Sequence, residues 1–155
     1  GTVTFDEILS DGTTIAVTGA TTLSSTLSYR NLSEAVAATN VITAAESGTV
    51  FFLNAVGGFT STLPAPAAGL NFTFIVKTAP TTAYVITTDA GANVLYGKTV
   101  ERAGGAGVAG AAQDTVNFVA SQAIIGDRYD FVSDGTNWYM KGIVDVSAAC
   151  TFSVV

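Results

Sequence analysis

Through most of this chain, apolar and polar residues alternate in short runs broken by Gly, Pro, Asn and Asp. The clearest runs cover residues 41–44, 49–54, 59–63, 71–77, 83–88 and 93–96. Later ones cover 115–120, 128–133, 137–143 and 151–154. Each carries the Val, Ile, Phe, Tyr and Thr that suit a pleated, half-buried surface, and period two predicts strands. Gly57-Gly58, the corner Leu63-Pro64-Ala65-Pro66-Ala67-Ala68-Gly69 and Asp134-Gly135 supply turns between them. Turn signals at these intervals predict an all-β protein, a jelly-roll-like β-sandwich or barrel.

The N-terminal part reads differently. Residues 2–9 and 13–18 alternate around Asp11-Gly12, and residues 20–28 form a Thr/Ser/Leu stretch without a core pattern. This predicts an extended arm or a surface loop. Asn31-Leu32-Ser33-Glu34 places an acidic residue three positions after a capping residue, and Ala35-Val36-Ala37-Ala38 follows. That pattern predicts a short connector helix. The domain organisation expected is 1–40 as N-terminal strands, arm and connector, and 41–155 as the β-sandwich. Residues 102–112, rich in Gly and Ala, predict a long flexible loop that orders against a neighbour.

Composition changes the picture at one point. Apolar residues make up 48% of the chain, but charged ones only 12%, against about 25% in ordinary soluble domains. Such a chain has little charge to spread over a free surface, which suits a protein whose surface is committed to neighbouring subunits. The net charge is −6, and no two of the six basic residues are adjacent. Nucleic-acid binding, which needs clustered cations, is therefore not expected. The apolar runs are too short to span a bilayer. No basic start followed by an apolar stretch is present, so the chain reads as made and used without export.

The candidate chemistry is thin. The chain has no histidine, which removes His-dependent nucleophilic triads and the commonest zinc ligand. The lone Cys150 cannot form an internal disulfide. Gly105-Ala106-Gly107-Val108-Ala109-Gly110 has the glycine spacing of a dinucleotide loop but lacks the flanking strand and helix that loop needs. Gly97-Lys98-Thr99 resembles the end of a phosphate-binding loop, yet its upstream glycine, Gly91, is one residue too far away. Asp127, Asp130 and Asp134 are the densest carboxylates, and turn and rim roles explain them better than hydrolysis or calcium binding. Asn31-Leu32-Ser33 and Asn71-Phe72-Thr73 are sequons, silent without export. Phe131 to Tyr139 predicts a hairpin in which Trp138 is core and Tyr139 is rim; the sharper alternative makes the pair a sugar-stacking platform. No catalytic, cofactor-binding or metal-binding residue is predicted.

The run Ser47-Gly48-Thr49-Val50-Phe51-Phe52-Leu53, the 63–69 corner with Phe72-Thr73-Phe74 after it, and Ser133-Asp134-Gly135-Thr136-Asn137-Trp138-Tyr139 occur together. In combination they resemble the small β-rich virion proteins of tailed bacteriophages, those of cyanobacterial and marine phages in particular, and among these the head decoration, or cement, proteins. The resemblance spans residues 43–142. It implies a non-enzymatic homotrimer at threefold positions on the outer capsid surface, made in the host cytoplasm and bridging adjacent major capsid subunits. It carries no catalytic residues. Segments 2–28 and 148–155 are the candidate arms that would add to neighbouring sheet edges. The alternative within the same resemblance is a tail-fibre or receptor-binding module contacting host surface glycans.

Overall fold

The computed structural model describes residues 31–88 and 93–154. The predicted strands and arm at 2–28 lie outside the described residues. Residues from Asn31 onward form a compact unit of their own, built as two mixed sheets packed face to face: a β-sandwich.

The first six strands alternate between the sheets. β1 (Ser33–Val36), β3 (Val50–Leu53) and β5 (Asn71–Val76) lie in the larger sheet, while β2 (Asn40–Val41), β4 (Phe59–Thr62) and β6 (Tyr84–Thr87) lie in the smaller. Each strand runs parallel to its predecessor in the same sheet. Parallel neighbours need a crossover, and here every crossover is a strand of the opposite sheet. The chain is thus wound around the core like a flattened coil, and equivalent inward positions stack from one winding to the next. Val36, Leu53 and Val76 are register partners in this way, and all three are buried. Phe51 pairs with Phe74, and their rings stack at 5.3 Å.

The second half closes both sheets. β7 (Leu95–Glu101), β8 (Ala109–Gln113), β10 (Arg128–Ser133) and β11 (Trp138–Val144) complete the larger sheet in the order β1-β3-β5-β10-β11-β7-β8. β9 (Thr115–Phe118) and β12 (Cys150–Ser153) complete the smaller one as β12-β9-β6-β4-β2. The predicted hairpin is present, with Ser133 facing Trp138. Along β11 burial alternates strictly, so Trp138, Met140, Gly142 and Val144 point inward. Trp138 contacts Phe72 and Phe131, and its indole N–H donates to the Pro64 carbonyl at 3.2 Å. That bond ties the 63–69 corner over the core.

Tyr129 links the two layers. Its ring stacks on Phe118 of the smaller sheet at 3.8 Å and 8°, and its hydroxyl donates to the Asn117 carbonyl. Room for the ring comes from its partner Gly142, where an added Cβ would lie 2.8 Å from Tyr129 Cδ1 and 2.7 Å from Thr99 Cγ2.

Two sequence expectations are corrected. Residues 33–36 form strand β1, not a helix. Hydrogen bonding to β3, which is not local in sequence, outweighs the capping pattern. The acidic cap instead occurs at Thr43, whose N–H and hydroxyl both donate to Glu46 at 2.7 Å to open a short 3-10 turn at Ala44–Glu46. The sandwich accordingly includes β1 and β2, both of which begin before residue 41. Second, the 102–112 segment is not a single loop. Its latter part is β8, paired antiparallel to β7. The reason is Phe152 of β12, whose ring lies against Gly110 and Gly97. A Cβ at Gly110 would sit 2.4 Å from Phe152 Cγ, and one at Gly97 would sit 3.2 Å from Phe152 Cε1. Small residues let an aromatic ring cover that end of the sheet, so a stretch of low strand propensity is held as a strand by packing.

Candidate functional site

The candidate carboxylates do not converge. Asp127 is 4% exposed, and its two oxygens accept the N–H groups of Ile124 and Asp145, each at 3.0 Å. Burial holds its pKa above the ordinary aspartate value against those donors. It fastens the 124–127 loop to the end of β11. Asp130 accepts from Thr73 Oγ1 and Arg128 Nε, both at 2.8 Å. Asp134 accepts the Thr136 and Asn137 N–H groups at 2.8 Å and the Tyr139 hydroxyl at 3.0 Å. The donors of Asn137 and Thr136 hold its pKa below the ordinary value. Each acid has its own structural task, as the turn-and-rim reading expects.

The motif candidates also resolve into structure. Gly97-Lys98-Thr99 lies in the middle of β7, bonded to β11 on one side and β8 on the other, so its N–H groups are unavailable to a phosphate; Gly91 lies outside the described residues. Residues 105–110 run from the β7–β8 turn into β8, without a helix. Cys150 is buried, and desolvation pushes its thiol up to about 11. Among the described residues no group of three acidic or sulfur side chains gathers as a metal site, and no helix is long and apolar enough to cross a membrane.

Trp138 is fully buried, so it takes no part in a surface platform. Tyr139 lies on the opposite face, 43% exposed, as a rim residue. What the sequence reading missed is its neighbour. β11 and β7 run parallel with Tyr139 beside Tyr96 and Lys141 beside Lys98. The tyrosine rings stack at 6.0 Å and 28°. A repeated Tyr-x-Lys, Tyr96-Gly97-Lys98 and Tyr139-Met140-Lys141, is the sequence signal that could have revealed this pairing. Together with Ala109 and Gly110 these residues line an open trough of about 530 Å³ on the outer face of the larger sheet.

One row further along the same face the character changes. Register carries a line from Val100 through Ile143, Arg128, Ile75 and Phe52 to Ala35. Val100 and Ile143 are 61% and 53% exposed. Exposed Ile124 and Ile125 adjoin Ile143 around a shallow depression. This line crosses six strands with a single charged residue, the Arg128 paired to Asp130.

No protein-family model, curated protein or solved structure matches the chain.

Proposed function

We propose that this chain is a non-enzymatic virion structural protein that decorates a tailed-phage capsid, stabilising it by bridging adjacent major capsid subunits as a homotrimer at threefold positions. The observation that carries the reading is the exposed apolar row of Val100, Ile143, Ile75 and Phe52 on a sheet face of a charge-poor chain. An apolar row of this extent on a protein that must stay in solution favours a partner surface over permanent exposure. Moving each half-exposed Val or Ile into a subunit joint contributes on the order of 1 kcal/mol before ordering costs. The outer strands β1 and β8 of the larger sheet and β12 and β2 of the smaller offer backbone groups to extended arms of neighbours. In this reading the protein sits on the outer capsid surface after synthesis in the host cytoplasm.

Sedimentation with purified expanded shells tests the proposal. The wild-type protein is expected to saturate the shells. The double variant Val100→Ser/Ile143→Ser is expected to remain folded and stay in the supernatant. Retention of that variant equal to wild type, or no retention of either, would overturn the reading. The alternative, a receptor-binding module contacting host glycans, loses Trp138 as its anchor and would rest on Tyr96 and Tyr139.

A further inference from the structure

We infer that the trough between the Tyr96–Tyr139 pair and the Lys98–Lys141 pair is a binding site for a carboxylated saccharide, one bearing a hexuronate-type unit. This refines the glycan-contacting alternative and does not depend on the shell reading.

The first observation is the placement of charge. The chain has six basic residues, and two of them, Lys98 and Lys141, are direct cross-strand neighbours on one face. Like charges in that relation destabilise a sheet. Among the described residues the ion pairs are Arg102–Asp145 and Arg128–Asp130, and neither involves these lysines. Asp130 is the register partner of Lys141 on its other side, but its carboxylate is taken by Arg128 and Thr73. An unneutralised cation pair in an acidic, charge-poor chain is a local cost without a structural return, as expected of a site for an anion.

The second observation is what lies beside that charge. The stacked phenols of Tyr96 and Tyr139 are one outward row away, about 6.6 Å along the strands. A pyranose ring has an apolar C–H face and a polar rim, and a hexuronate adds a carboxylate at its edge. With the carboxylate between the two ammonium groups, the sugar ring meets the tyrosine row. Charge complementarity and an aromatic wall thus select one ligand chemistry. The floor is kept low by Gly97, Ala109 and Gly110, so the space is open from the solvent side. Tyr139 is held in place by its hydroxyl bond to Asp134, on the side of the ring row away from the lysines.

Neither nucleic acid nor an acidic peptide fits as well. One cation pair cannot follow a phosphate backbone, and among the described residues the trough lining shows no open sheet edge for a peptide to extend, because β7 is paired on both sides.

The test is titration of trigalacturonic acid into the full chain, followed by chemical shifts of the Tyr96 and Tyr139 rings, with the fully methyl-esterified trimer and an oligo-aspartate of equal charge as comparators. Saturable binding of the acid is expected. It should weaken at least about tenfold in Lys98→Gln/Lys141→Gln and in Tyr96→Ala, consistent with loss of charge-assisted bonds and of ring contact. The ester should bind at least about tenfold more weakly than the acid. Both lysines point outward, so the lysine variant should fold, with a thermal midpoint equal to or above wild type. Its sedimentation with shells should be unchanged, which separates failure of this inference from failure of the decoration reading. Absence of saturable binding, equal binding of the ester, equal or tighter binding of oligo-aspartate, or indifference to the lysine substitutions would overturn it.

Discussion

Gly110→Ala tests the packing account where it departs most from the sequence pattern. Gly110 is not among the residues with positive φ, so alanine can adopt its backbone conformation. In a flexible loop the substitution would stabilise the protein by about 0.4–1 kcal/mol through the unfolded chain. The structure predicts the opposite sign. The new methyl would lie 2.4 Å from Phe152 Cγ, 2.6 Å from Cδ1 and 2.8 Å from Cβ. These are atoms at the root of the side chain, which cannot swing clear without moving β12. Overpacking of this kind costs about 1–3 kcal/mol, so the net loss should be about 1–2 kcal/mol once the unfolded-state gain is subtracted. Urea unfolding followed by the fluorescence of Trp138, the single and fully buried tryptophan, gives the free energy directly. In a Phe152→Ala background the two closest atoms are gone, and the cost of Gly110→Ala should fall by at least half. An unchanged or raised urea midpoint for Gly110→Ala would refute the assignment of this segment as a packed strand.

Other expectations follow from the same packing. Trp138→Ala should cost about 3–5 kcal/mol, and Trp138→Phe less; thermal melts of both variants decide this. Burial raises the pKa of Tyr129 and of Tyr84 above the ordinary tyrosine value. A folded-state pKa above the unfolded one means that their contribution is complete below about pH 10 and is lost as pH rises further. The urea midpoint should therefore fall in alkali, and Tyr129→Phe should reduce that fall. The Tyr129 substitution also removes the bond to Asn117, at about 1 kcal/mol near neutrality. Cys150 should react with a thiol reagent at pH 8 only as fast as the protein unfolds, since its thiol is buried and pushed up to about 11. A chain of residues 31–155 should keep the sandwich and its cooperative melt, because these residues form a compact unit of their own.

Much of the β architecture was legible because strands such as β5, β10 and β11 announce themselves locally. Their β-branched and aromatic residues alternate between turn residues, and period two alone separates Trp138 from Tyr139. What could not be read was everything set by non-local pairing. The cap-like Asn31-Leu32-Ser33-Glu34 suggests a helix until β3 is known to lie beside it. The Gly/Ala stretch looks like a loop until Phe152 is placed on Gly110 and Gly97. The alternation of β1 to β6 between the sheets leaves no local trace, since a parallel and an antiparallel strand have the same hydrophobic pattern. For the same reason Tyr96 and Tyr139 do not advertise their contact, apart from the shared Tyr-x-Lys. Candidate acids were easier, because Asp134 precedes Gly135 and turn chemistry is local.

The decoration reading is tested most directly by counting copies of this protein against the major capsid protein in purified virions, by quantitative mass spectrometry. The account predicts a stoichiometry near parity, as a trimer at every threefold and local threefold position requires. A few copies per particle, or none, would contradict it.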